Sequence, residues 1–147
     1  MDKPDSTLAA PLEAPGGRAT AGARDGASIR LEIGIDCADP GGLAPFWAAA
    51  LGYETGDLDR AEVYLDLVPP RADLPVVYLQ RVPEPKVVKN RVHLDLYTAD
   101  LEGLVSRLVS LGAVAVGGSL SGSEGGWWQV MADPEGNEFC VCQDAAS

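Results

Sequence analysis

The chain has 147 residues, 46% of them hydrophobic, and a formal net charge of −11 from 22 acidic and 11 basic side chains. That length suits one domain plus a tail, enough to bury roughly 70% of its unfolded surface. The acidic balance argues against nucleic-acid and anionic-membrane partners, and no apolar run approaches the roughly 20 residues needed to span a bilayer.

Residues 1 to about 27 are rich in Ala, Gly, Pro and charge and lack a hydrophobic period. They read as a disordered or weakly ordered tail. The start is charged from the second residue and holds no long apolar segment, so no secretory leader is expected. The three cysteines, Cys37, Cys140 and Cys142, are odd in number and wrongly spaced for a zinc knuckle. They read as free, buried thiols in a reducing compartment, which points to a cytoplasmic protein.

From Ile29 to Asp36 apolar and polar residues alternate, the pattern of a half-buried strand. Asp39-Pro40 supplies a helix N-cap and a proline at the first helical position. Leu43, Phe46, Trp47, Ala50 and Leu51 then recur at helical spacing, and Gly52 is the stop. Strands are expected near Tyr53–Thr55, Val63–Leu67 and Val76–Arg81, with Pro69-Pro70 in a loop.

The pattern then restarts. Arg91 to Tyr97 alternates, Asp100 is a second N-cap, and Leu101, Leu104, Val105, Leu108 and Leu111 form a helical stripe ending at Gly112. Strands follow near Ala113–Val116, Trp127–Ala132 and Phe139–Cys142. Asp133-Pro134-Glu135-Gly136 has the residue preferences of a type I turn joining the last two. Leu120 to Gly126 is a Ser/Gly-rich loop that reads as either a lid or a connector. Ala38-Asp39 aligns with Ala99-Asp100 and Leu51-Gly52 with Leu111-Gly112, a repeat of about 60 residues. The expected domain spans 28–144, with module one at about 28–85 and module two at about 88–144. Each half reads β-α-β-β-β, an α+β arrangement.

Alternation also sorts the faces. Leu31, Ile33 and Ile35 oppose Glu32, Gly34 and Asp36; Val92, Leu94 and Leu96 oppose His93, Asp95 and Tyr97. On the last strand, Glu138, Cys140 and Cys142 oppose Phe139 and Val141. Tyr78 and Gln80 share a face. The apolar faces are expected to meet the helices, and the polar faces either meet solvent or line an enclosed space. Phe46 and Trp47 read as core. Of the adjacent Trp127 and Trp128, one points inward, and Trp128 is the candidate pocket wall.

Three stretches, "IDCADPGGLAPFWAAALGYE", "KNRVHLDLYTADLEGLVSRLVSLGA" and "WQVMADPEGNEFCVC", together resemble the glyoxalase-like branch of the vicinal-oxygen-chelate superfamily (glyoxalase/bleomycin resistance protein/dioxygenase). The resemblance covers about residues 29 to 143. It implies two βαβββ modules forming a curved mixed-sheet cup, with helices outside and a metal or small ligand inside. It also implies metal-ligand positions at Glu32, near Gln80, at His93 and at Cys140, with Glu138 one strand period earlier. His93 matches the usual ligand type, whereas Cys140 stands where glutamate is more usual.

A lone histidine rules out a two-His triad within one chain, which weighs against dioxygenase-type chemistry. A divalent metal on His93, Glu32 and Glu138 remains an option, though not the favoured one. Without metal, His93 and Glu138 are the acid/base candidates, and Glu32, Asp36, Gln80, Asp95, Tyr97, Trp128 and Cys140 are the pocket residues. His93 is open to a purely structural reading as well. The function expected is small-molecule binding, either with lyase- or isomerase-type proton transfer or as non-catalytic sequestration of an antibiotic-like metabolite. A homodimer is compatible with both.

Overall fold

The computed structural model describes residues 30–118, 120–121 and 126–144. The expected tail and most of the Ser/Gly-rich loop lie outside the described residues.

Module one runs β1 (Glu32–Cys37), α1 (Pro40–Leu51), β2 (Glu54–Thr55), a short 3-10 turn (Leu58–Arg60), β3 (Tyr64–Val68) and β4 (Val76–Arg81). Module two runs β5 (Asp95–Tyr97), α2 (Leu101–Ser110), β6 (Val114–Ala115), β7 (Leu120–Ser121), β8 (Trp127–Ala132) and β9 (Glu138–Gln143). The first sheet has the order β1-β4-β3-β2 and the second β5-β9-β8-β6, with β7 also on β8. In each module the first strand runs parallel to the last while the other pairs are antiparallel. The two βαβββ modules expected from the repeat are therefore present, and β1 and β5 occupy equivalent sheet edges.

Alternation explains which faces are buried. Leu65, Leu67, Val77 and Leu79 turn toward α1 and pack with its Leu43, Ala44, Phe46 and Trp47. Met131, Phe139 and Val141 meet Leu101 and Leu108 of α2 in the same continuous core. Removing such side chains from water stabilises the fold by about 1.5–3 kcal/mol each. The helices end differently. Gly52 takes a left-handed φ of 67° and closes α1, a conformation with little penalty for glycine. At the start of α2 the Asp100 carboxylate accepts the Gly103 N–H at 2.9 Å, as expected. Asp39 departs from its expected role: its side chain makes no capping bond. The Glu135 carboxylate instead accepts the Ala38 and Asp39 N–H groups from across the module boundary, and the Asp39 carboxylate faces Arg81 at 3.8 Å.

Two strands are shorter than the alternation predicts. The first begins at Glu32, with the described Arg30 and Leu31 outside it, and the second-module strand shrinks from Arg91–Tyr97 to Asp95–Tyr97. The second change has a visible cause. Ahead of Leu94, the Asn90 backbone N–H donates to the Glu138 carboxylate at 2.9 Å, and the Asn90 amide reaches the Glu138 carbonyl. Side-chain bonds thus replace the ladder there, and Val92 is left 81% exposed instead of facing the helix.

A buried carboxylate joins the modules. Asp133 accepts the Trp47 indole N–H at 2.9 Å, the Glu135 and Asn137 backbone N–H groups at 2.9 Å, and the Asn137 amide at 3.2 Å. A charge this deeply buried is tolerated only when its oxygens are satisfied, as these are. Phe46, Trp47 and Phe139 pack edge-on around the same junction, with centroids 5.2–6.0 Å apart. The Asp133 turn is the one expected: the Gly136 N–H donates to the Asp133 carbonyl at 2.9 Å.

Candidate functional site

On module two the polar face collects chemistry-bearing side chains from three neighbouring strands. Asp95 lies opposite Cys140, and Tyr97 opposite Cys142. Trp128 lies opposite Cys142 on the other side of β9. Since side chains alternate, these residues share one face, and His93 joins them two residues ahead of Asp95. They line a concavity of about 400 Å³, with Trp127, Gln143 and Asp144 at its margin. His93 Nε2 lies 3.2 Å from Asp95 Oδ1, and both side chains are 43% exposed.

The thiols here are weak acids. Burial, Asp95, Cys140 and Asp144 push Cys142 up to about 11. Burial and the Asp95 carboxylate also raise Cys140. Cys37 sits in the core, where burial and the Glu135, Asp133, Asp36 and Asp39 carboxylates push it up to about 12. In the absence of a metal, none of the three is a ready thiolate at neutral pH.

A second, larger cavity of about 1160 Å³ lies between the modules. It is bounded by β1, the segment from Arg81 to Leu94 and the Glu135–Phe139 end of the hairpin. His93 stands at the lip shared by both spaces. Asp36 faces this cavity, its carboxyl held above the usual range by burial and the Glu84 charge. Glu138 also lies here and is fully engaged: Lys86 Nζ is 2.8 Å away and the Asn90 N–H donates to it. Those partners hold its carboxyl down at about 2. A proton acceptor so stabilised as an anion is a poor general base.

The structure therefore gathers His93, Asp95, Tyr97, Trp128 and Cys140, and leaves Glu32 and Gln80 elsewhere. Glu32 forms an ion pair with Arg30, and Gln80 sits on β4 between Asp36 and Tyr64. Neither lines either space. The carboxylates expected in one pocket are spread out: Asp36 and Glu138 line the larger cavity, Asp95 lines the smaller, and Glu32 lines neither. Nor does a hard metal site drawn from His93, Glu32 and Glu138 fit, since Glu138 is bound to lysine and Glu32 to arginine. Among the described residues, the donors that do converge are His93, Asp95 and Cys140.

A family model described as the glyoxalase-like domain matches residues 32–142. The chain belongs to the glyoxalase-like domain family. Solved structures share its fold. The glyoxalase-like domain superposes on a glyoxalase/bleomycin resistance protein/dioxygenase family enzyme from Burkholderia phytofirmans PsJN with a TM-score of 0.62 at 15% identity, covering 76% of this chain and 95% of that one. For lactoylglutathione lyase from Agrobacterium tumefaciens the TM-score is 0.55 at 14% identity, with 82% and 96% covered. For TioX from Micromonospora sp. ML1 it is 0.54 at 15% identity, with 79% and 98% covered. No curated protein matches this glyoxalase-like domain significantly.

Sequence reasoning missed three features of the site. Trp127 joins Trp128 at the concavity although strand parity sends them apart, because Trp127 begins β8 and is half exposed. Cys142 shares the face of Cys140, as its parity indicates, yet was not singled out. Lys86 lies in the non-periodic stretch between the modules, where no pattern flags a partner for Glu138.

Proposed function

We propose that this protein binds a small molecule in the module-two concavity and holds it without turnover. The carrying observation is the His93–Asp95 pair, 3.2 Å apart, on a surface walled by Tyr97 and Trp128. Ligand sites combine apolar walls with a few placed polar groups. Aromatic faces beside a carboxylate suit a planar, neutral or cationic molecule. The engagement of Glu138 and the weak acidity of the thiols favour holding over chemistry. Three free cysteines suit a reducing cytoplasm. Among the described residues no helix is long and apolar enough to cross a membrane.

Lyase- or isomerase-type proton transfer is the second reading, and the same pair favours it: an imidazole oriented by a carboxylate is a common acid/base arrangement. The two separate under one experiment. Tryptophan fluorescence is titrated with a panel of aromatic cations and neutral planar metabolites, and the mixtures are assayed for product. Sequestration predicts saturable quenching at one site per chain and unaltered ligand. Product that disappears in His93→Ala, with thermal stability retained, would establish the catalytic reading instead.

We also propose a homodimer. β1 and β5 are sheet edges, and Leu31, Val92 and Tyr97 beside them are exposed apolar groups. Such edges favour pairing with another strand. A partner's β1 beside β5 would bring Glu32, Asp36 and Gln80 of one protomer toward the concavity of the other. Light scattering should give twice the chain mass, and a monomer at micromolar concentration would remove this part of the proposal.

A further inference from the structure

We propose that Lys89 and Arg91 form the anion-recognising end of the ligand site, so that the molecule held beside His93 and Asp95 also carries a carboxylate. This rests on the reading of the module-two concavity as the ligand site, and it names the ligand class: a planar zwitterion, its ammonium in the concavity and its carboxylate beyond the lip.

Basic side chains are scarce in this chain and unevenly placed. Of 11, four (Arg81, Lys86, Lys89 and Arg91) fall between positions 81 and 91 and line the larger cavity. Two of the four are engaged: Lys86 Nζ is 2.8 Å from Glu138, and Arg81 faces Asp39 at 3.8 Å. The side chains of Lys89 and Arg91 are exposed and make no ion pair or hydrogen bond among the described residues. Their segment is nevertheless fastened to β9 at two points. The Asn90 N–H, between them in the chain, donates to the Glu138 carboxylate at 2.9 Å. Further on, the Cys140 N–H donates to the Leu94 carbonyl at 2.8 Å. Lys86 neutralises the Glu138 carboxylate, so this anchor leaves the charges of Lys89 and Arg91 for an outside partner.

The two cations are continuous with the concavity. They line the larger cavity, and His93 lies on the lip shared by both spaces. The Lys89 charge acts on the Cys140 thiol inside the concavity, opposing the effect of Asp95 there. The site thus runs from a carboxylate, past an imidazole, to an ammonium and a guanidinium. It complements a ligand with its charges in the reverse order. The acids of the larger cavity do not cancel this end. Glu135 accepts the Ala38 and Asp39 N–H groups, Glu138 holds Lys86, and Asp36 has Glu84 as its charged neighbour. An ammonium beside a guanidinium binds carboxylate or phosphate. A net charge of −11 repels a dianion more than a monoanion, which selects the carboxylate.

The test is calorimetric titration of the full-length protein, at low salt, with probes built on one ring. 4-(Aminomethyl)benzoate carries both charges, 4-(aminomethyl)benzamide lacks the negative one, and 4-(aminomethyl)phenylphosphonate approaches a dianion. The carboxylate probe should bind about 10-fold more tightly than the amide, and more tightly than the phosphonate. Lys89→Met and Arg91→Met should each reduce the advantage over the amide at least about 3-fold. Arg71→Met, in the loop between β3 and β4, should leave it intact. Added salt should narrow the gap between carboxylate and amide. Circular dichroism melts confirm that each variant is folded. Equal affinity for carboxylate and amide, or an advantage that survives in both Lys89→Met and Arg91→Met, would overturn the proposal. Binding of the amide with resonance shifts at Trp128 and Cys140 would then still uphold the concavity as the ligand site. Tighter binding of the phosphonate would overturn the carboxylate in favour of a phosphate. The concavity reading fails separately if the carboxylate probe shifts the signals of Lys89 and Arg91 but not those of Trp128 and Cys140. Binding of none of the probes overturns both.

Discussion

The two modules share one chain path but differ at the cross-strand pair nearest the middle of the first strand, and that difference changes what covers the polar face of each sheet. In module one the pair is Gly34 on β1 and Tyr78 on β4. The Tyr78 ring lies over Gly34 so closely that an added Cβ would meet its Cζ at 2.7 Å. In module two the equivalent pair is Asp95 on β5 and Cys140 on β9. A thiol replaces a phenol, and the space the ring would fill is left open between His93, Tyr97 and Trp128. Duplication supplies two similar sheets, and side-chain volume covers Gly34 in one while the Asp95–Cys140 pair of the other borders open space.

The comparison can be broken most severely at the junction that holds the modules together. Asp133→Ala removes the acceptor for four donors, including the buried Trp47 indole, and should cost about 3 kcal/mol in a urea melt. A loss below about 1 kcal/mol would mean that the hydrophobic junction suffices. Next in size, Cys140→Tyr places a module-one ring in module two. It should weaken ligand binding about 100-fold, roughly 2.7 kcal/mol, with the melting temperature nearly unchanged. Undiminished binding would place the ligand elsewhere.

Smaller effects sharpen the picture. Gly34→Ala forces the Tyr78 ring aside and should cost about 1 kcal/mol, leaving ligand affinity in module two unaltered. The Glu138 carboxyl, held at about 2 against an ordinary 4.5, contributes stability that is present above pH 4.5 and lost as pH falls toward 2. Because the pair is partly solvated, the contribution is about 1 kcal/mol. Glu138→Gln should flatten the stability–pH curve across that window, as read by equilibrium denaturation at several pH values. An unchanged slope would assign the acid sensitivity to other carboxylates.

Much of this architecture was legible in the sequence, because it is written in period and punctuation. The alternation of Val76–Arg81 and Trp127–Ala132 marks β4 and β8 to the residue. Pro40 and Gly52 bracket α1, and the offset between Asp39 and Asp100 exposes the repeat. Parity placed His93, Asp95, Tyr97 and Cys140 on one face. It could not say which groups from the other module approach them, since the relative placement of two sheets depends on long-range contacts such as Trp47 with Asp133. Nor could it anticipate the ion pair of Lys86 with Glu138, or Asn90 cutting β5 short. Those events occur in aperiodic chain, where a side chain outcompetes the ladder.

The central claim is that the ligand lies in the module-two concavity, and nuclear magnetic resonance tests it most directly. Amide and indole shifts are recorded while the protein is saturated with an aromatic cation that quenches its tryptophans. The account predicts the largest changes at His93, Asp95, Trp128, Cys140 and Cys142, with the Gly34–Tyr78 face nearly silent. Changes centred on Gly34, Tyr78 and Gln80, with Trp128 and Cys140 unmoved, would contradict it.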